Sequence, residues 1–406
     1  MARYQYGGQA LIEGVLMRGR NALAVALRHP DGSIVWATER LDLGLRARRA
    51  LKMPFLRGLV VLYDTLVTGT RWLVRSATLQ ALALEEGEGP ASGSGSAGGA
   101  AGVGETLATM ALVFAGPALC AAKAEGGTDP AAGTDPAVGT DPAAGTDPAV
   151  ASYTDPDAAS PALGATPAEE GLGKGYAVAV GGMLLLTLVA GIGVFFLLPL
   201  LLAQATVGRV DQGFGLQLSE GVIRVAIFIG YLLLVSRAGD VRRTFQYHGA
   251  EHMSIHTLEA GDPLTVEAAR KYPTAHPRCG TEFLVVVLIV SILAFAVVGK
   301  LPPLWLIASR VVLVPVIAAV SYELLQLGAR HRRHALVRWL WSPGIWVQAI
   351  TTRQPTDAMI EVAIVSLERA LVADGAEVPP GSSILASRPM YPDAGGDAGG
   401  AAATAA

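Results

Sequence analysis

Long uninterrupted apolar runs alternate with basic, polar stretches along the chain, and this pattern predicts where a membrane would lie. A helix of about 20 apolar residues spans a hydrocarbon core of roughly 30 Å. Four segments fit: residues 176–203, 220–236, 283–298 and 304–327. The second carries Arg224 one turn inside, where its long side chain is expected to snorkel. The fourth contains Arg310 and, near its far end, Glu323. A shorter Ala- and Gly-rich stretch, 107–122, is interrupted by Pro117 and reads as an interfacial or re-entrant helix.

The N-terminal pattern is different. Residues 9–18, 22–27 and 34–38 are short β-prone runs separated by turn signals such as Pro30-Asp31-Gly32, which predicts a small antiparallel sheet. Over 54–84, Leu56, Leu59, Val60, Tyr63, Leu66 and Val67 recur at helical spacing beside Arg57, Arg71 and Arg75, the pattern of an amphipathic helix. Residues 87–101 have a flexible-linker composition, and Gly-Thr-Asp-Pro-Ala-Ala/Val repeats run from Gly127 to Val150. These repeats lack large apolar residues to bury and are expected to be disordered, as is the tail from Ser387. The predicted organisation is therefore a β-rich region at 1–50, an amphipathic helix at 51–86 and a low-complexity insertion at 87–172. Two spans at 173–237, a polar loop at 238–281 and two more spans at 282–328 follow. A C-terminal region at 329–386 and a tail at 387–406 complete it. The fold class is a mixed membrane protein: about four transmembrane helices, a small N-terminal antiparallel β region and a cytoplasmic helical loop.

Composition agrees with this pattern. Of 406 residues, 51% are apolar and 16% charged, too little charge for an ordinary soluble surface. A net charge of −3 gives no support for bulk nucleic-acid binding. Cys120 and Cys279 are far apart and make no disulfide framework. The first residues contain no apolar run of a cleaved secretion signal. Basic residues settle the expected orientation. Arg46, Arg48, Arg49, Lys52, Arg57, Arg71 and Arg75 precede the spans. Arg237, Arg242, Arg243, Arg270, Lys271 and Arg278 lie in the central loop, and Arg330, Arg332, Arg333 and Arg338 follow the last span. If all four helices cross, every basic stretch falls on one side, which predicts a bacterial inner-membrane protein with both termini cytoplasmic.

Four of the seven histidines fall between His248 and His276. His248 and His252 are four apart, so on a helix they share a face with Glu251 beside them, the H-x-x-E-H arrangement. Two imidazoles on successive turns can bind one divalent metal such as zinc, and the carboxylate can take a proton from a bound water. A third ligand is required, and His276, Cys279 and Glu323 are the candidates. His256 continues the helical face one turn further but drifts off the stripe. Whether the motif stays helical through Gly249, a weak helix former, is left open by sequence.

The phrases Phe245-Gln-Tyr-His-Gly-Ala-Glu-His252, His276-Pro-Arg-Cys-Gly-Thr281, Ser321-Tyr-Glu323 and Pro343-Gly-Ile-Trp-Val-Gln348 resemble the YqhQ-like family of bacterial membrane proteins. So does Gly7-Gly-Gln-Ala-Leu-Ile-Glu-Gly-Val-Leu-Met-Arg18. The resemblance covers nearly the whole chain outside the insertion at 87–170 and the tail. It implies a metal-dependent enzyme and, in many members, a lysine where this chain has Met253. The leading expectation is a membrane hydrolase with His248 and His252 as ligands and Glu251 as general base. Gln9, Glu13 and Arg18 are expected to close the site, and peptide, lipid head group and phosphoester are all open as substrates. Two rivals stand beside it: a scaffold holding a structural metal or none, and a small transporter with Glu323, Arg224 and Arg310 lining a polar path.

Overall fold

The computed structural model describes residues 6–41, 53–87, 182, 185–186, 189–207, 214–277, 279–298, 301–331, 334–383 and 385–390. The expected helix at 107–122, the linker, the Thr-Asp-Pro repeats and Cys120 lie outside the described residues.

The N-terminal sheet is an antiparallel meander of β1 (Gly7–Leu11), β2 (Gly14–Arg18), β3 (Ala22–Arg28) and β4 (Ile34–Arg40). A fifth strand, β5 (Ser387–Pro389), adds in parallel to the β4 edge, pairing Ile34 with Ser387. This corrects the expectation that the tail is unstructured from Ser387. Trp36 accepts a hydrogen bond at its carbonyl from the Met390 N–H at 2.7 Å, so backbone pairing holds a segment whose composition carries no strand signal.

Strand alternation sends two sets of side chains to two cores. Val15, Met17, Ala24 and Ala26 face one side, packing with Tyr247 and Met253 of α4 (Gly239–Ala260) and with Ile360, Ile364 and Leu367 of α9 (Asp357–Ala373). Leu16, Leu23, Val25 and Leu27 face the other, packing with Trp72 and Leu73 of α1 (Leu56–Gly87). A sheet covered on both faces needs continuous apolar strands, which is why β3 reads Ala-Leu-Ala-Val-Ala-Leu rather than alternating with polar residues. Asp374, just past α9, accepts backbone hydrogen bonds from Arg20, Asn21 and Ala22 and so ties down the β2–β3 turn.

Among the described residues, four helices are long and apolar enough to cross a membrane. They are α2 (Val189–Thr206), α3 (Phe214–Val235, apolar over Gly215–Val235), α6 (Thr281–Val298) and α7 (Pro303–Arg330, apolar over Leu304–Arg330). Their outward faces carry Leu234, Val297, Leu304 and Val312, all strongly exposed, the surface of a chain that packs against lipid rather than water. Short α5 (Val266–Ala269) lies between α4 and α6, and α8 (Ala335–Thr351) packs on α6 and α3. The outward face of α8 exposes Leu336, Trp339 and Trp346, apolar and aromatic like the outer faces of the four long helices.

Inside the bundle, Glu220 pairs with both Arg224 (2.5 Å) and Arg310 (2.6 Å), all three being buried. Arg224 also donates through Nε to the Phe195 carbonyl at 3.0 Å, a residue of the π-helical turn Gly193–Leu197 inside α2. The Phe295 ring lies 4.1 Å from the Arg310 guanidinium carbon and 4.9 Å from that of Arg224. Arg224 therefore does not snorkel; its charge is met within the bundle. Glu323 lies elsewhere, accepting from Arg57 Nε at 2.8 Å and from the Phe55 N–H at 2.9 Å, which fastens α1 to α7. The three groups of the expected transport path thus close on two separate sets of partners.

Candidate metal centre

The site is built on α4, which follows α3 after a three-residue turn and stands at the end of the bundle next to the sheet. The helix runs unbroken through Gly249. That glycine is needed for space: a Cβ there would lie 2.2 Å from the Arg353 carbonyl oxygen. The 352–356 segment thus passes directly over the helix, and the Arg353 N–H donates to the Phe245 carbonyl at 2.9 Å. At its far end α4 is stopped by Gly261, whose φ of +80° suits a residue without a side chain.

The chain then returns along α4 and brings three groups against its histidine face. The Nδ1 of His248 lies 2.9 Å from the Thr351 carbonyl, and the Nδ1 of His252 lies 2.6 Å from the Thr274 carbonyl. A carbonyl only accepts, so each Nδ1 carries a hydrogen and each Nε2 is turned into the cluster, where it can take a proton or ligate an ion. Cys279 faces these nitrogens, its Sγ standing 3.2 Å from His248 Nε2. One ligand atom from each of His248, His252 and Cys279 lies within 4.8 Å of the others. Zinc bonds of roughly 2.0–2.3 Å in a tetrahedron set ligand atoms roughly 3.4–3.8 Å apart, so the cluster needs only small adjustment to hold such an ion. The Thr281 N–H and hydroxyl both point to the same sulfur, at 3.4 and 3.3 Å, and would stabilise a thiolate.

The electrostatics follow from burial and proximity. Burial would push the Cys279 thiol up, but His248 and His252 beside it hold it well below its usual value. Burial would likewise depress His248, yet the Cys279 sulfur and Glu251 raise it to about 9. Without a cation, the pair is therefore a thiolate against an imidazolium. Glu251 is raised, chiefly by its own burial. Its carboxylate lies 3.9 Å from His248 Nε2 and accepts from the Gly8 N–H. A Cβ on Gly8 would stand 2.9 Å from the Glu251 Cγ, so this glycine lets β1 lie against the acid.

Of the expected ligands, His248, His252 and Cys279 come together. His276 lies on the other side of His252, with ring centroids 5.6 Å apart, and groups instead with His256 and Glu259. Glu323, expected as a further ligand, belongs to neither group among the described residues, because Arg57 engages it. The three N-terminal residues hold the sheet to its neighbours. Gln9 packs on Gly69 of α1, and Arg18 pairs with Asp64 at 2.6 Å, both lining a small cleft between β1 and α1. Glu13, strained at a φ of +53°, binds Arg243 and the Tyr247 hydroxyl on α4. Gly8, in the same strand as Gln9, touches Glu251.

Other supporting groups carry weak sequence signals or none. Thr274 and Thr351 act through backbone carbonyls. Gln348 is fully buried and clamps His276 with its amide, accepting from the His276 N–H and donating to its carbonyl, each at 2.9 Å. The last motif phrase contains Gln348, but nothing in the phrase announces that role.

Fold and site together define a helical-bundle membrane protein with a His/Cys cluster at the end covered by a small sheet. The chain belongs to the family described as a protein of unknown function, DUF1385, whose model matches residues 144–373 and so takes in all four spans and the cluster. It is similar to the "Uncharacterized protein YqhQ" of Bacillus subtilis (strain 168). The two are 27% identical over 367 residues, covering 90% of this chain and 92% of that protein, in accord with the YqhQ-like motifs. No solved structure matches.

Proposed function

We propose that the cluster is the active centre of a metal-dependent hydrolase, with a divalent cation such as zinc held by His248, His252 and Cys279. One observation carries this reading. Three ligand-type atoms converge within 4.8 Å, and both imidazoles have their other nitrogen fixed on a backbone carbonyl. Burying such groups side by side is costly unless something joins them. A zinc ion held there would supply a Lewis acid and an acidified water. Glu251 is the base: burial raises its carboxyl above the usual carboxylate range, and it stands beside His248 at the cluster. Basic residues Arg237, Arg242, Arg243 and Arg270 around α4, with Arg330 at the end of α7 and Arg338 beyond it, favour a cytoplasmic location for this end in a bacterial inner membrane.

The test is the metal content of the detergent-purified protein. A drop of about one transition-metal equivalent per chain in His248→Ala and His252→Ala, with no drop in Glu251→Gln, supports the reading. Absence of metal after reconstitution with zinc, manganese and iron refutes it. A second reading is favoured by the 3.2 Å approach of Cys279 to His248, the geometry of an activated cysteine nucleophile. It predicts activity in fully chelated protein and its loss on alkylation of Cys279.

A further inference from the structure

We propose that the chain carries a second divalent-metal site, formed by His256, Glu259 and His276 and facing solvent beside the first. The inference deepens the metal reading of α4 and rests on it for the kind of cation, while its ligands are separate residues.

One ligand atom from each of the three residues lies within 4.8 Å of the others. The arrangement repeats the device seen at the buried cluster. His256 has its Nε2 3.0 Å from the Ala275 carbonyl, so that nitrogen carries the hydrogen and Nδ1 keeps the lone pair. Its ring is stacked on Tyr272 at 5.9 Å, and the Tyr272 hydroxyl is anchored on Asp262 at 2.7 Å. The His276 backbone is held on both sides by the Gln348 amide, which keeps its ring 4.5 Å from that of His256. Glu259 brings a carboxylate oxygen to 3.4 Å from His276 Nε2 and remains partly open to water.

Two imidazoles and a carboxylate make a harder donor set than two imidazoles and a thiolate, suited to zinc, iron(II), cobalt(II) or manganese(II). The nearest rings of the two groups, His252 and His276, have centroids 5.6 Å apart, and no ligand belongs to both groups, so these are two neighbouring mononuclear sites rather than one bridged centre. The periodicity of α4 explains the pairing. His256 is rotated away from the His248 stripe, and the 274–276 segment meets it there with a different set of ligands.

Cobalt(II) distinguishes the two sites, since only the first has a thiolate and only it gives a sulfur-to-cobalt charge-transfer band. Full-length protein stripped of metal and titrated with cobalt(II) is expected to bind two equivalents. His256→Ala and Glu259→Gln, both at positions outside the buried core, should bind one equivalent with the band intact. Cys279→Ser should bind one equivalent without the band. Saturation of the wild type at one equivalent, with the band unchanged in His256→Ala, overturns the second site while leaving the first. One equivalent without a band, abolished by His256→Ala, supports the second site and removes the first.

Discussion

Gly249→Ala should destabilise the protein even though it replaces a poor helix former with the best one. In open space the exchange favours the helix by about 1 kcal/mol. Here the new Cβ would stand 2.2 Å from the Arg353 carbonyl oxygen and 3.2 Å from Thr274 Cγ2. The carbonyl would have to retreat by about 1 Å to reach ordinary contact, against the 2.9 Å bond from its own N–H to Phe245. Overpacking of this kind costs about 1–3 kcal/mol, so the net loss should be up to about 2 kcal/mol once the propensity gain of about 1 kcal/mol is subtracted. The carbonyls of Thr274 and Thr351, which orient His252 and His248, lie in the segments that must move, so metal affinity should fall by about tenfold or more. Gly239→Ala on the same helix is the control, because a Cβ there meets nothing within 4 Å; it should be neutral or slightly stabilising. Thermal unfolding in detergent and a competitive zinc titration measure both effects. If Gly249→Ala matched Gly239→Ala in stability and bound zinc like the wild type, the close passage of the 352–356 segment over the motif would be refuted.

Three further outcomes follow from the same contacts. Gln348→Leu strands the buried His276 N–H and carbonyl, at about 1–3 kcal/mol for each unpaired group, and should lower the melting temperature and weaken metal binding together. Glu220→Gln leaves Arg224 and Arg310 buried without their shared carboxylate; a loss of about 3–5 kcal/mol is expected, read as a sharp fall in folded yield and thermal stability. In metal-stripped protein, His248 is raised from 6.5 to about 9, so its proton is held more tightly folded than unfolded. Cys279 is lowered well below its usual 9.0 at the same time, so between about pH 6.5 and 9 the folded and unfolded pairs each hold one proton and the contribution is level. Below pH 6.5 the unfolded chain binds a second proton that the folded pair does not, so wild type should lose stability on acidification relative to His248→Gln.

Much of this architecture is legible in the sequence because it rests on local periodicity. The four apolar runs, the β-prone N-terminal segments and the four-residue spacing of His248 and His252 each report a local geometry. What escaped is long-range or carried by backbone. Glu323 looks like a site residue because it is an acid in an apolar helix, and only the packing of α1 on α7 gives it Arg57 as a partner. The carbonyls of Thr274, Ala275 and Thr351 leave no mark in residue identity. Glu220 and Arg224 are an acid and a base four residues apart, but Arg310 joins them across 90 positions of chain, a partnership that no local pattern reports. His256 looked like a residue leaving the stripe; the returning 274–276 segment, not the helix, gives it a role. Strand β5 is fixed by pairing to β4, and its own sequence, Ser-Arg-Pro, carries no β signal.

The central claim is that His248, His252 and Cys279 together hold a metal ion, and X-ray absorption at the zinc edge tests it most directly. The sample should be Glu259→Gln loaded with one equivalent of zinc, so that the neighbouring group contributes little. The account predicts one sulfur at about 2.3 Å with imidazole nitrogens at about 2.0–2.1 Å, the sulfur shell vanishing in Cys279→Ser. A bound zinc surrounded only by oxygen and nitrogen, or a spectrum unchanged by Cys279→Ser, would contradict it.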